Sequence, residues 1–187
     1  MAIIRRPRRK NQSPDHEDLG HRSLVWLAQM STNKGFRGDV EVPLNPREVG
    51  PAYVADAVAQ LNFQSRFRDR YGIPKGPLDL FSCIFEVKVS RSDFRKTFCT
   101  EGSSRLLAPA GNFHWVVTTP DLVKAEEVPS FWGLLEESHG GLHEVKKPSF
   151  QSIQHHEKIA YSILWYGTRR AQRYKDIKIC QHCTKRF

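Results

Sequence analysis

The chain has 187 residues, enough for one domain with a buried core, and its 39% hydrophobic and 26% charged residues exclude a disordered composition. Lys and Arg number 29 against 20 Asp and Glu, so the net charge of +9 predicts a polyanionic partner, with nucleic acid the first choice. Long apolar runs, a secretory signal and a disulfide framework are all lacking from the sequence. We therefore expect a cytoplasmic protein, nucleoid-associated in a bacterium, with no membrane partner.

Three regions are predicted from composition. Residues 1–12 form a basic flexible arm, because arginines dominate a segment that could bury almost nothing. Such an arm suits either phosphate contact or a solvated tail, and the sequence does not choose between them. Residues 13–150 form the folded domain, and residues 151–187 form a C-terminal helix with a cysteine-containing tail.

The folded domain is predicted to alternate between helices and short strands. Ser13 followed by Pro14 marks the start of a helix that ends near residues 33–35. In a later helix Ser90 can act as the N-cap, and Asp93 stands three residues on, as in a capping box. After the first helix we predict strands 39–44, 53–61 and 82–89, a helix 90–98, a strand 112–119, a hairpin turning at 139–141 and a final helix 156–174.

The strand SCIFEVKV carries two charges in an apolar run. Alternation along the strand places Glu86 and Lys88 on one face, while Cys83, Phe85 and Val87 occupy the other face, which we predict to be core. An exposed Glu-Lys pair would contribute almost nothing to stability. The same spacing recurs in Glu144, Val145 and Lys146, so spacing alone does not identify a site.

Context distinguishes the two copies. Asp56 is a lone carboxylate in another apolar strand, where burial is costly unless a cation or hydrogen-bond donors meet it. The hard oxygens of Asp56 and Glu86 suit Mg²⁺ or Mn²⁺, and Lys88 could hold a water in line with a phosphorus. The strand of the second copy ends at once with Lys147 and Pro148, and no acidic residue in a preceding apolar strand pairs with it clearly.

Other acidic residues compete for a place in this site. Asp79 lies too close in sequence to Glu86 for a strand to leave and return between them, so we prefer Asp56. Glu41, in the first strand, is either a weak additional metal ligand or a rim residue. Glu17, on the first helix, has a weaker case of the same kind.

These motifs resemble the PD-(D/E)xK nuclease superfamily, whose core has the order α-β-β-β-α-β. The stretches VADAVA, FEVKVSRSDFRK, NFHWVVTTPDLV and WGLLEES, with GLHEVKKP, look like MmcB-related DNA-repair proteins and their phage-borne relatives over roughly residues 40–148. The resemblance implies an α/β, restriction-endonuclease-like fold with a mixed central sheet flanked by helices, plus the C-terminal hairpin and helix.

The same resemblance implies a function. It is metal-dependent hydrolysis of DNA phosphodiester bonds, with Asp56 and Glu86 as metal ligands and Lys88 as the base that orients water. The alternative is a catalytically inactive DNA-binding or assembly protein that keeps the fold. The residues do not discriminate DNA from RNA, and they leave the oligomeric state open.

Two further groups of residues could contact nucleic acid. Ser90, Arg91 and Arg95 begin the helix that follows the proposed site, where amides and guanidinium groups could receive a phosphate. Arginines and aromatic residues interleave over residues 63–71, which suits either phosphate contact with base stacking or a small helix that packs its rings into the core. The basic residues of this second group are Arg66, Arg68 and Arg70.

The C-terminal stretch ICQHCTKRF places Cys180 and Cys183 at the spacing of half a zinc site. A structural zinc normally takes four ligands, so this pair is either part of a zinc site completed from elsewhere or two free thiols.

Overall fold

The computed structural model describes residues 14–30, 36–44, 53–62, 65–73, 80–100, 110–139 and 141–153. The predicted basic arm, Ser13, Asp79, the final helix, Cys180 and Cys183 lie outside the described residues. Within the described ranges, no helix combines the length and the apolar character that crossing a membrane requires.

The described elements follow the predicted order with one addition. Predicted strand ends agree with the structure to within two residues, and the capped helix after Lys88 is present. The addition is a short helix in the connection between the second and third strands. The elements are α1 (Pro14–Met30), β1 (Arg37–Leu44), β2 (Tyr53–Asn62), α2 (Ser65–Tyr71), β3 (Leu80–Lys88), α3 (Arg91–Phe98), β4 (Phe113–Thr118), β5 (Trp132–Ser138) and β6 (Gly141–Lys146), with a 3₁₀ turn at Ala125–Glu127.

The six strands form one mixed sheet in the order β1-β2-β3-β4-β5-β6. The pairs β3–β4 and β4–β5 are parallel, and the other three pairs are antiparallel. Parallel neighbours need a crossover connection, and α3 lies in the one between β3 and β4. The predicted hairpin is confirmed as β5–β6. The chain therefore has an α/β fold with a mixed sheet flanked by helices.

Strand β3 is buried on both faces, which differs from the prediction of a single core face. Cys83, Phe85 and Val87 pack in the core cluster that includes residues of α1. On the opposite face Ile84 packs against Val58. A central strand of a sheet with covered faces has no solvent side, so the charged face of β3 is buried as well.

Helix α3 covers part of that second face. Phe94 and Phe98 pack with Val116, Trp132 and Leu134, which come from β4 and β5. Val116 pairs with Glu86 across the parallel ladder. The sheet is thus covered by α1 on one side and by α3 on the other, and Glu86 lies between neighbours that exclude water.

A buried histidine stabilises the turn that leads into β4. His114 Nε2 accepts hydrogen bonds from the backbone N–H groups of Ala110 (3.1 Å) and Gly111 (3.2 Å). Burial lowers the pKa of His114 to about 3, so the ring is neutral in the folded protein.

This histidine predicts acid sensitivity of the fold. The pKa of His114 is lower in the folded protein than its ordinary value. As pH falls below about 6.5, His114 therefore takes up a proton in the unfolded chain but not in the native protein. The unfolding free energy should therefore decrease on acidification, by up to about 1.4 kcal/mol per pH unit from this group. Urea unfolding at pH 7, 6 and 5 measures the slope. His114→Gln keeps an acceptor and should reduce the slope, whereas replacing the exposed His139 by Gln should leave it as it was; equal slopes in all three proteins would contradict the prediction.

Candidate active site

Two charged side chains lie at the carboxyl end of β3. The exposed fraction is 0% for Glu86 and 4% for Lys88. Lys88 Nζ lies 3.6 Å from Glu86 Oε2, so the two opposite charges are close enough to compensate each other. Thr118, the last residue of β4, pairs with Lys88 and is also buried. The structure therefore keeps this Glu-x-Lys pair out of solvent.

Asp56 lies where strand β2 departs from regular alternation. Ala57 packs in the cluster on the α1 side of the sheet. Ala55, two residues earlier, packs with Val58 and Ile84 on the opposite side. A regular strand would place Ala55 and Ala57 on one face, so the alternation breaks at Asp56. Asp56 therefore lies at an irregular point of β2.

The Asp56 carboxylate reaches the end of β3. Its Oδ2 accepts a hydrogen bond of 2.8 Å from the backbone N–H of Val87, the residue between Glu86 and Lys88. The exposed fraction of Asp56 is 4%. The structure thus places the Asp56 carboxylate against the β3 backbone between Glu86 and Lys88.

His16 of α1 contacts the Asp56 carboxylate. His16 Nε2 lies 3.5 Å from Asp56 Oδ2. Burial by itself would raise the pKa of Asp56, but the hydrogen bond and charge of His16, followed by the charge of Lys88 and the Val87 N–H, hold this pKa below its usual value. Asp56 is therefore an ionised carboxylate in a water-poor setting.

His16 was not among the residues predicted from the sequence, which pointed to Glu17 on the same helix instead. Glu17 is exposed. A methyl group built on Gly20, one turn beyond His16, would lie 3.6 Å from the Asp56 carbonyl oxygen, so this face of α1 packs against β2 near the site. Helical periodicity identifies which residues share a face, but it does not say which strand that face meets.

A second acid contacts Lys88 from α3. Asp93 Oδ2 lies 3.3 Å from Lys88 Nζ. Ser90 is the N-cap of α3, as predicted, and its Oγ accepts the Asp93 backbone N–H at 3.2 Å. The first turn of α3 therefore lies directly beside the end of β3.

The predicted nucleic-acid contacts on α3 fall into two kinds. Arg91 already has partners, because its guanidinium group donates to Glu127 and to the Leu122 carbonyl. The Glu127 carboxylate raises the pKa of Arg91 further. Arg95 lies on the exposed side of α3, and Ser90 is partly exposed. Of the three residues predicted to contact nucleic acid, Ser90 and Arg95 are thus better placed than Arg91 for contact with a phosphate.

Helix α2 resolves the alternatives left open for residues 63–71. The rings of Phe67 and Tyr71 are buried in the core on the α1 side, so they are not available for base stacking. Helix α2 follows Asn62, which pairs with Leu80 at the start of β3, about 20 Å of strand away from Glu86.

The described arginines of α2 lie on a helix whose rings pack on the α1 side of the sheet. Arg70 Nη2 pairs with Glu144 Oε2 at 2.7 Å, and Arg68 is partly buried. The side chain of Arg66 lies outside the described residues. Arg70 is therefore paired with a carboxylate of β6, in the cross-strand row that also contains Val87 of β3.

The second Glu-x-Lys copy has structural partners. Glu144 accepts hydrogen bonds from Arg70, Tyr71 and Trp115. Lys146 Nζ donates to the carbonyl oxygens of Val128 (2.7 Å) and Pro129 (3.1 Å). This copy ties β6 to α2 and to the loop before β5, and it offers a matched control for Glu86 and Lys88.

Glu41, the weak additional ligand, lies on β1 between residues that pair with Ala55 and Ala57. Its backbone is therefore opposite Asp56, while its side chain lies outside the described residues.

Comparison with known proteins bears on the fold. No protein-family model matches the chain, and no curated protein matches it. Among solved structures, the chain is similar to a protein of unknown function from Silicibacter pomeroyi, with a TM-score of 0.55 and 16% sequence identity. The similarity covers 91% of this chain and 97% of the other. At this identity the likeness shows a shared fold alone.

The contact between α1 and β2 predicts a measurable titration. His16→Ala removes the hydrogen bond and charge that offset burial of Asp56, so the pKa of the Asp56 carboxyl should rise. A carboxyl group whose pKa is lower in the folded than in the unfolded protein stabilises the fold at pH above the unfolded pKa, and this stabilisation is lost as pH falls. His16→Ala reduces it, so acid unfolding of this variant should begin at a higher pH. Carbon-13 NMR of labelled Asp side chains, assigned with Asp56→Asn, measures the shift. His21→Ala, an exposed residue on the same helix, is the control, and an Asp56 titration unchanged by His16→Ala would refute the prediction.

Proposed function

We propose that this protein is a Mg²⁺- or Mn²⁺-dependent nuclease that hydrolyses phosphodiester bonds of DNA. One observation carries the proposal: the Asp56 carboxylate is hydrogen-bonded to the N–H of Val87, between Glu86 and Lys88. In this proposal the Asp56 carboxylate of β2 acts together with Glu86 and Lys88 of β3. This set of groups matches the ligands and the water-orienting lysine of the PD-(D/E)xK nucleases that the sequence resembles.

The order of the elements supports the same proposal. Helix α1 is followed by the antiparallel strands β1, β2 and β3, then by α3 and by β4, which is parallel to β3. With α2 regarded as an insertion, this order agrees with the α-β-β-β-α-β core of restriction-endonuclease-like proteins. In this proposal β5 and β6 extend the core sheet at the β4 edge.

The donor set suits a small divalent cation. In the proposed site Asp56 and Glu86 would supply carboxylate oxygens, and both side chains are buried. Across the described ranges, no group of three or more His, Cys, Asp and Glu side chains is arranged for metal binding. Mg²⁺ commonly binds through one or two carboxylates and retains several waters, so two carboxylates are an adequate protein contribution.

Each residue then has a separate role. Asp56 and Glu86 would hold the cation, and the bound cation would supply charge stabilisation for the phosphate and activation of a water. Lys88 would donate a hydrogen bond to the attacking water and orient it toward the phosphorus. The N–H of Val87 and the ring of His16 keep the Asp56 carboxylate in position.

The start of α3 is the proposed approach for DNA. Ser90 and the exposed Arg95 flank the end of β3, and the net charge of +9 favours association with a polyanion. These residues would contact the phosphate backbone and would not read base sequence.

Cleavage assays test the proposal directly. Wild-type protein is incubated with supercoiled, linear, single-stranded and branched DNA, with Mg²⁺ or Mn²⁺ and with EDTA. We expect metal-dependent cleavage, which Asp56→Asn, Glu86→Gln or Lys88→Met should reduce by about 10²-fold or more, because each removes a ligand or the group that orients water.

The second Glu-x-Lys copy provides controls that are matched in chemistry. Glu144→Gln and Lys146→Met should retain cleavage within about threefold at temperatures where thermal melting shows them folded, because these residues stabilise structure only. Cleavage that persists in Glu86→Gln and Lys88→Met would reject the proposed site. DNA binding without cleavage on every substrate and with both metals would instead favour a non-catalytic DNA-binding protein.

A further inference from the structure

We infer that Asp93 is a positioning residue that restrains Lys88 when the metal site is filled. The inference rests on the proposed nuclease function and extends it to a residue on a different element. It arises from the position of Lys88 between two carboxylates, at 3.6 Å from Glu86 Oε2 and 3.3 Å from Asp93 Oδ2.

Asp93 stands at the N3 position of α3, but among the described residues it forms only one of the two hydrogen bonds of a capping box. In a capping box, the N3 side chain accepts a hydrogen bond from the backbone N–H of the N-cap residue. Here Ser90 Oγ does accept the Asp93 N–H, but in the part of the chain that the structure describes the Asp93 carboxylate forms no return bond to Ser90. The carboxylate is directed to Lys88 instead.

During the proposed reaction, the ion pair of Lys88 with Glu86 would be weaker than its ion pair with Asp93. Glu86 is a proposed metal ligand, and a cation on its oxygens would weaken its attraction for the Lys88 ammonium group and repel that group. Asp93 lies on α3 and would keep its full charge for Lys88. The pair with Asp93 is therefore the one that can persist once a cation is bound.

Restraint matters because a lysine side chain is flexible. Fixing its four rotatable bonds costs conformational entropy, and a water-orienting group must hold its position for the attack to be in line. Thr118, the neighbour of Lys88 on β4, is neutral and supplies no charge for this purpose. Asp93 thus supplies an anchor that the strands themselves do not.

An acidic group beside a phosphate-binding site opposes DNA binding. Asp93 is about half exposed, with a side-chain exposed fraction of 45%, so this repulsion is screened but not removed. If Asp93 only capped the helix, it would repel DNA without any gain for the reaction. The expected kinetic signature is therefore a loss in kcat without a rise in KM.

The experiment compares Asp93→Asn with Asp93→Glu and with Glu127→Gln. Glu127→Gln breaks the ion pair of Arg91 on the same helix and leaves Lys88 untouched, so it is the matched control. On a DNA that the wild type cleaves, Asp93→Asn should lower kcat about tenfold with KM unchanged or lower, and Asp93→Glu should recover most of the rate. Glu127→Gln should behave as wild type.

A second measurement does not depend on activity. Urea unfolding of Asp93→Asn, Lys88→Met and the double variant, with and without Mn²⁺, forms a double-mutant cycle. We expect the two changes to be non-additive, and to remain so with Mn²⁺ present. Additive effects, or a kcat of Asp93→Asn equal to that of the wild type, would overturn the inference. A wild-type protein that cleaves no DNA would reject the proposed function, while the cycle would still decide whether Asp93 restrains Lys88.

Discussion

The buried charges on β3 constrain the rest of the structure. Glu86 and Lys88 lie on a strand covered on both faces, where an unpaired charge would cost several kcal/mol. Their own contact of 3.6 Å is longer than a good hydrogen bond and does not satisfy every polar atom. Charged or polar groups from other elements must therefore converge at this end of the strand. Asp56 reaches it from β2, and Asp93 reaches it from α3.

The topology of the sheet explains why this convergence occurs at the carboxyl end of β3. Strand β3 pairs antiparallel with β2 and parallel with β4, so the chain must leave the sheet after Lys88 and cross over. Helix α3 begins this crossover only a few residues later, which places its first turn beside the strand end. The Asp56 carboxylate, at the break in the alternation of β2, accepts the Val87 N–H at the same strand end. Ligand sites in α/β sheets commonly lie outside the carboxyl ends of strands for the same geometric reason.

Local sequence patterns predicted most of the fold. Alternating and apolar runs located the six described strands, and the Ser90 cap located the start of α3, because strand alternation and capping depend on residues close in sequence. The choice of Glu86 over Glu144 also followed from local context, namely an apolar strand with a separate lone carboxylate at Asp56. The short helix α2 remained one of two alternatives, since seven residues with mixed aromatic and basic side chains fit either outcome.

The sequence by itself determined the order and type of the described strands and of α1 and α3, and it singled out Asp56, Glu86 and Lys88 as candidate residues. Only the tertiary structure decided that both faces of β3 are buried, that His16 rather than Glu17 meets Asp56, and that Asp93 pairs with Lys88. It also buried the rings of α2 in the core and paired Arg70 with Glu144. Hydrogen bonding and side-chain periodicity are local, whereas burial and ion pairing depend on which elements pack together, and that packing is set by the whole chain.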